Sequence, residues 1–178
     1  MKALFKLENG ILKPSEHVYG LKVFTDIIEQ YPDEKDHIQI FKYIFYTVSL
    51  DSENNPFFNV KEEDKEEMIL AELKEINFST EDDCIQQALK FCEEIEITPI
   101  GRAYLGIKNM LDKVSEHLQT VSITSTGKDA NLPALVNLAS KFDSIRSSFE
   151  GTLESLKKEQ RARKVRGNQT IGYDQKNY

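Results

Sequence analysis

The polar stretch "DSENNP" has the residue types and spacing of a calcium-binding loop. Asp51, Glu53 and Asn55 stand at positions 1, 3 and 5 of an EF-hand loop, and Glu62 stands at position 12. Position 6 must reach positive φ and is normally glycine, but here it is Pro56, whose ring holds φ at about −65°. We therefore interpret the stretch as a structural corner held by Asx-type hydrogen bonds, with a calcium-dependent switch as the weaker alternative.

A strongly acidic segment follows this corner and could offer paired carboxylates for acid–base or metal chemistry. Lys61 and Lys65 alternate with the acids, and no histidine lies nearby in the sequence. We interpret the segment as a solvated helix face, or as a face that meets a basic partner. Its acidic residues are Glu62, Glu63, Asp64, Glu66 and Glu67.

The remaining reactive side chains form no recognisable catalytic or metal-binding pattern in the sequence. His17, His37 and His117 are scattered, with no ligand spacing such as H-x-x-x-H. Cys84 and Cys92 fall on one face of a helical segment, roughly 12 Å apart along its axis, which is too far for a disulfide. The G-x-S-x-G motif and the glycine-rich phosphate-binding motifs are missing. The sequence therefore predicts a non-enzymatic protein with reduced thiols and with no cofactor or metal.

Charge is divided unevenly along the 178-residue chain, whose formal net charge is −7. Residues 157–178 carry seven basic and two acidic side chains, whereas the preceding 156 residues carry 16 basic and 28 acidic ones. An acidic body repels nucleic acid, which leaves only a contact of the basic tail with a phosphate backbone. We favour instead a tail that lies on the acidic face of a neighbouring copy. No apolar run approaches the ~20 residues that span a bilayer, and no signal peptide is visible, so the sequence predicts synthesis in the cytoplasm and no membrane partner.

The elements that would position these groups are predominantly helical. The stretch "ALFKLENGILKP" predicts a small β-hairpin that turns at Asn9 and Gly10, since both residues tolerate positive φ. Helix caps are predicted at Ser79 or Thr80 and at Thr98, where the following proline suits the first helical position. The predicted fold is mainly α, with five to six helices. It comprises an N-terminal β-hairpin in residues 1–14, a helical body in residues 15–160 and a basic, extended C-terminal tail in residues 161–178.

The last two helices are predicted to pair as a long antiparallel hairpin. Apolar residues of the final helix recur at spacings of three and four over roughly three heptads, as in a coiled-coil seam. The same seam could serve a coiled-coil dimer, although its phenylalanines favour internal packing. The seam consists of Leu135, Leu138, Phe142, Ile145, Phe149, Leu153 and Leu156.

The segment "FKYIFYTVSLDSENNPFFNVKEEDKEEMI", residues 41–69, resembles a type of small virion protein from tailed bacteriophages, especially those of the crAss-like group. The shared pattern is an aromatic helix, an Asp-led corner with proline and an aromatic pair, and then a Glu-rich helix. The resemblance implies a structural component of the particle, such as a head–tail connector or neck ring protein. Such a component acts through its position and not through catalysis.

We therefore predict a non-catalytic virion protein, made in the host cytoplasm, that assembles as a multi-copy ring at the portal, neck or tail. Its expected partners are other copies of itself and other virion proteins, namely the portal and neighbouring ring or tail proteins. The alternative is a soluble acidic helical adaptor or regulatory module that binds a partner protein. The candidate partner-binding residues are Asp51, Pro56, Phe57, Phe58, Glu62, Glu63, Glu66, Glu67, Arg161, Arg163, Lys164, Arg166, Tyr173 and Tyr178.

Overall fold

A computed structural model describes residues 4–8, 11–74, 76–124 and 131–168 of the chain. These residues form six α-helices and one two-stranded sheet, which confirms the predicted mainly α fold with its N-terminal β-hairpin. The elements are β1 (Phe5–Glu8), β2 (Ile11–Pro14), a 3₁₀ helix (Val18–Gly20), α1 (Lys22–Gln30), α2 (Glu34–Val48), α3 (Glu62–Leu73), α4 (Asp83–Glu96), α5 (Pro99–Thr120) and α6 (Leu132–Asn168).

The chain divides into two compact units. We call the first the head; it comprises Met1–Ile97 together with Lys158–Tyr178. We call the second the hairpin; it comprises Thr98–Lys157. Helix α6 therefore contributes to the hairpin up to Lys157 and to the head from Lys158 onward.

The β-hairpin covers one side of the helical core of the head. Its strands pair antiparallel, with Phe5 opposite Pro14 and Leu7 opposite Leu12. The predicted turn residues, Asn9 and Gly10, lie outside the described residues. Alternation along the strands turns Phe5 and Leu12 inward, where both are buried.

Helix α2 is the central element of the head, and its apolar face packs against both α3 and α4. Phe41 of α2 is fully buried, with its ring centroid 5.5 Å from that of Phe24 and 5.9 Å from that of Phe5. The Phe24 ring in turn lies 6.3 Å from Phe91 of α4 in an edge-to-face arrangement. Such offset aromatic contacts add to the free energy of burial, so this cluster fixes how the helices of the head meet.

Local chemistry explains where two of the helices begin. Asp33 caps α2 by accepting a 2.8 Å hydrogen bond from the Lys35 amide, and Thr98 caps α5 through a 3.1 Å bond from the Gly101 amide. The cap predicted at Ser79 or Thr80 is wrong, because α4 begins only at Asp83 with Asp82 at its N-cap. The Asp82 carboxylate makes no capping bond; it accepts a short hydrogen bond from the hydroxyl of Tyr31, the C-cap residue of α1.

Within the hairpin, α5 and α6 run antiparallel as predicted. The Tyr104 ring of α5 lies 5.3 Å from the Phe149 ring of α6, centroid to centroid. At the other end, Asn131 closes the connection by donating 2.9 Å and 3.1 Å hydrogen bonds, from its side chain to the Ser122 carbonyl and from its amide to the Thr124 carbonyl. The connecting residues 125–130 lie outside the described residues.

The C-terminal segment differs from the prediction at its start. The sequence predicts an extended chain over residues 161–178, but α6 continues without interruption to Asn168. Residues 161–166 are mostly arginine, lysine and alanine, which are good helix formers, and an established helix adds residues at little further cost. Residues 169–178 lie outside the described residues.

Candidate partner-binding surface

The corner, residues 51–58, joins α2 to α3 and is organised by the Asp51 side chain. The Asp51 carboxylate accepts a 3.1 Å hydrogen bond from the Glu53 amide and a 2.7 Å bond from the Asn54 side chain. The Asp51 carbonyl accepts a further bond, of 2.8 Å, from the Asn55 amide. These are Asx-type turn contacts, and they direct the carboxylate toward the corner's own backbone.

Asn55 is the most deeply buried polar residue of the corner, at 3% exposure. Its side-chain amide donates to the Tyr46 carbonyl at 2.9 Å and to the Ser49 carbonyl at 2.6 Å, and its side-chain oxygen accepts a 3.0 Å bond from the Phe57 amide. The two carbonyls stand at the C-terminal end of α2, where helices leave acceptors without internal partners. Asn55 therefore closes α2 from outside the helix, a role that the sequence did not predict.

The aromatic pair of the corner points inward. Phe57 and Phe58 are each 7% exposed, and the Phe57 ring lies 5.2 Å from that of Tyr46. Pro56, between Asn55 and this pair, is exposed. The pair thus anchors the corner to the head, and the part of the corner that a partner can reach is its outer rim.

Helix α3 presents a face that is more acidic than the sequence suggested. Lys65 turns into the head at 8% exposure, where its ammonium donates a 2.5 Å hydrogen bond to the Thr47 carbonyl. Of the two lysines that alternate with the acids, Lys65 is therefore withdrawn from the outer surface, while Lys61 stays exposed at the N-cap of the helix. The exposed acidic residues of its first two turns, which we call the acidic face, are Glu62, Glu63, Asp64, Glu66 and Glu67.

The acidic face is tied to the core of the head through Tyr43. The Tyr43 hydroxyl donates a 3.2 Å hydrogen bond to the Glu66 carboxylate, while the ring is 4% exposed. Burial, and then the nearby negative charge of Glu66, raise the pKa of Tyr43 to about 12. The hydroxyl thus stays protonated and keeps donating to the carboxylate throughout the neutral range.

The C-terminal end of α6 lies against the corner. The Gln160 side chain donates a short hydrogen bond to the Leu50 carbonyl, and the Arg161 guanidinium lies 3.9 Å from the Glu53 carboxylate. Both members of that ion pair are exposed, so its contribution to stability is small and sensitive to salt. The structure therefore brings the corner and the start of the basic C-terminal segment together, although they are about a hundred residues apart in sequence. Leu50, Glu53 and Gln160 make these contacts, and none of the three was among the candidate partner-binding residues predicted from the sequence.

The remaining candidate residues follow Arg161. Arg163, Lys164 and Arg166 belong to α6, but their side chains lie outside the described part of the chain. Tyr173 and Tyr178 lie wholly outside it. We call residues 161–178 the basic C-terminal segment. The structure describes its helical backbone as far as Asn168 and the contacts of Gln160 and Arg161, at its start, with the corner.

The part of the chain that the structure describes holds no group of three or more His, Cys, Asp or Glu side chains arranged to bind a metal ion. In the EF-hand-like stretch, the Asp51 carboxylate and the Asn55 side chain are engaged with the protein itself. Over the same residues, no helix is both long and apolar enough to cross a bilayer.

Comparisons with known family models, curated proteins and solved structures gave no match to this chain.

Titration of Tyr43 is expected to make the stability of the head depend on alkaline pH. An unfolded tyrosine ionises near pH 10, whereas the pKa of Tyr43 in the fold is about 12. Between these two pH values the folded chain keeps the Tyr43 proton while the unfolded chain loses it. The contribution of protonated Tyr43 to the free energy of unfolding is therefore fully present below pH 10 and is lost as pH rises from about 10 to about 12. Urea unfolding followed by circular dichroism at pH 9, 10 and 11 measures the decline.

The Tyr43→Phe variant should show a shallower decline than the wild type over the same range. Part of the slope should remain, since burial also raises the pKa of Tyr31 and of Tyr104 to about 12. An unchanged slope in Tyr43→Phe would contradict the assignment.

Proposed function

We propose that this protein is a non-catalytic structural component of a multi-copy assembly, of the kind found at the portal, neck or tail of tailed-phage virions. The resemblance of residues 41–69 to small virion proteins supports the type of assembly. The distribution of charge on the chain supports a contact between basic and acidic surfaces of neighbouring molecules.

Charge segregation is the observation that carries the proposal. Residues 1–97 hold 22 acidic and ten basic side chains, whereas residues 158–178 hold two acidic and six basic ones. Because Lys65 turns inward, the first two turns of α3 present a continuous acidic face to solvent. An exposed, uniformly charged face supplies long-range attraction to a basic partner surface and contributes little to the fold itself.

In this proposal the basic C-terminal segment of one copy contacts the acidic face of the next copy. Gln160 and Arg161 hold the root of the segment on the corner of its own head, so the segment leaves each copy from a defined point. Its basic charges then meet the acidic face in the neighbouring copy. The same acidic face is available to basic surfaces of other virion proteins.

The test is the size of the assembly in low salt, about 50 mM, where charge contacts are strongest. The variant Arg163→Gln/Lys164→Gln/Arg166→Gln removes three charges from the segment and leaves the contacts of Gln160 and Arg161 in place. Light scattering coupled to gel filtration should show a species larger than a dimer for the wild type and the loss of that larger species in the variant, with an unchanged thermal melt.

The matched control is Lys22→Gln/Lys90→Gln/Lys141→Gln, which removes three exposed positive charges elsewhere. It should assemble as the wild type does. Equal behaviour of the two triple variants would overturn the role of the basic segment. A wild type that forms no species larger than a dimer at low salt would favour the alternative function. In that function the chain is an adaptor that binds a different protein with its acidic face.

A further inference from the structure

The hairpin buries few of its apolar side chains. Among the described residues of α5 and α6, the large apolar side chains that are buried are Tyr104 and Leu156. Most of the α6 seam, and the apolar residues that recur at helical spacing in α5, are only partly buried. The partly buried residues are Leu135, Leu138, Phe142, Ile145, Phe149 and Leu153 of the seam, and Ile107, Leu111, Val114 and Leu118 of α5.

Exposed apolar side chains also concentrate in this unit. Eight large hydrophobic residues are exposed in the described chain, and five of them belong to the hairpin. The five are Ile100, Met110, Ile123, Leu132 and Val136. A shallow cavity of about 440 Å³ opens beside Met110, with Val114 and Leu138 in its wall together with the polar side chains of Asn109, Lys113 and His117. Two helices alone present this surface to water, whereas bundles close such a seam with further helices.

We infer that the hairpin of a second copy of this chain covers the open seam, so that two hairpins form a four-helix bundle. The inference rests on the proposed multi-copy function and specifies where two copies make their apolar contact. It is separate from the charged contact between the C-terminal segment and the acidic face.

Charge supports a second copy as the occupant. Residues 98–157 hold seven basic and six acidic side chains, so two hairpins do not repel each other. Residues 1–97 carry a net charge of −12, so a strongly basic partner would be drawn to the head and not to this surface. The hairpin has nearly equal numbers of basic and acidic side chains, and it fits a partner surface that is also close to neutral. A second hairpin offers such a surface, with apolar residues at the same heptad spacing.

The available area is also sufficient. The 22 residues of α5 extend about 33 Å, and two helices side by side are roughly 20 Å wide. A face of these dimensions buries about 650 Å² on each copy, or about 1,300 Å² in total. That total lies within the ~1,200–2,000 Å² of stable protein–protein interfaces.

The test uses the full chain in about 0.5 M NaCl, where charged contacts are screened and apolar contacts persist. Sedimentation equilibrium between about 1 and 200 µM should give twice the chain mass of 20.5 kDa. Met110→Lys places an unpaired charge in each half of the interface and should raise the dissociation constant at least ~100-fold.

The control is Met68→Lys, because Met68 of α3 is exposed to nearly the same extent as Met110, 47% against 43%. It should retain the wild-type dissociation constant, and thermal melts should show both variants folded. A monomeric wild type across the whole range would overturn the inference, as would dimers that both variants form equally. The charged contact is tested separately at low salt, so either proposal can fail while the other stands.

Discussion

Replacing Asn55 by alanine is expected to lower the free energy of unfolding by about 3 kcal/mol, a large share of the stability of a domain of this size. The substitution leaves the Tyr46 and Ser49 carbonyls and the Phe57 amide without their buried partner. Each unsatisfied buried group costs about 1–3 kcal/mol, partly offset where water can reach the opened corner. Urea unfolding monitored by circular dichroism measures the change.

The neighbouring residue provides the control. Asn54 is half-buried, and the hydrogen bond that its side chain donates goes to the Asp51 carboxylate, which water can also solvate. Asn54→Ala should therefore cost less than about 1 kcal/mol. If the two alanine variants lose similar stability, the hydrogen bonds of Asn55 do not hold the end of α2.

Replacing Phe41 by alanine is expected to cost about 4 kcal/mol and to loosen the whole head. Phe41 is fully buried, and its ring contacts those of Phe5 and Phe24 from two other elements. Its removal leaves a cavity at the point where the β-hairpin, α1 and α2 meet, so the loss of transfer free energy is joined by a cavity term. Thermal and urea unfolding both report this change.

Phe41→Leu separates the two contributions. Leucine retains most of the buried apolar volume and loses the aromatic contacts, so the expected cost is about 1.5 kcal/mol. A cost for Phe41→Ala no larger than that for Phe41→Leu would show that the neighbouring rings collapse into the vacated space.

The parts of the fold that were predictable from the sequence depend on local chemistry. The cap at Thr98 with its following proline and the heptad spacing of α6 each act within a few residues, and each predicted an element that the structure contains. The cap predicted at Ser79 or Thr80 is wrong because α4 begins at Asp83, and its N-cap residue Asp82 is bonded to Tyr31, which is 51 residues away. A distant partner of this kind leaves no periodic signal in the sequence.

The corner and the acidic helix were predictable in position but not in detail, and their role in binding a partner stays a prediction. The sequence identified the corner and the acidic helix, and the structure shows both at the junction of α2 and α3. The inward turn of Lys65 and the closing role of Asn55 depend on carbonyls of α2, at Thr47, Tyr46 and Ser49, that become available only when the helix ends against the corner. Residue types alone mark such side chains as surface polar groups.

Asn131 is hydrogen-bonded to Ser122 and Thr124, and these bonds join the two ends of the connection between α5 and α6. The pairing of the two helices therefore does not depend on the length of the chain between those ends. Lengthening a connection whose ends are already joined costs only about 0.6 kcal/mol for each doubling. The stretch between 125 and 130 is therefore a natural place for insertions during evolution. It is equally suited to carry an affinity tag or a fluorescent reporter in the full-length protein.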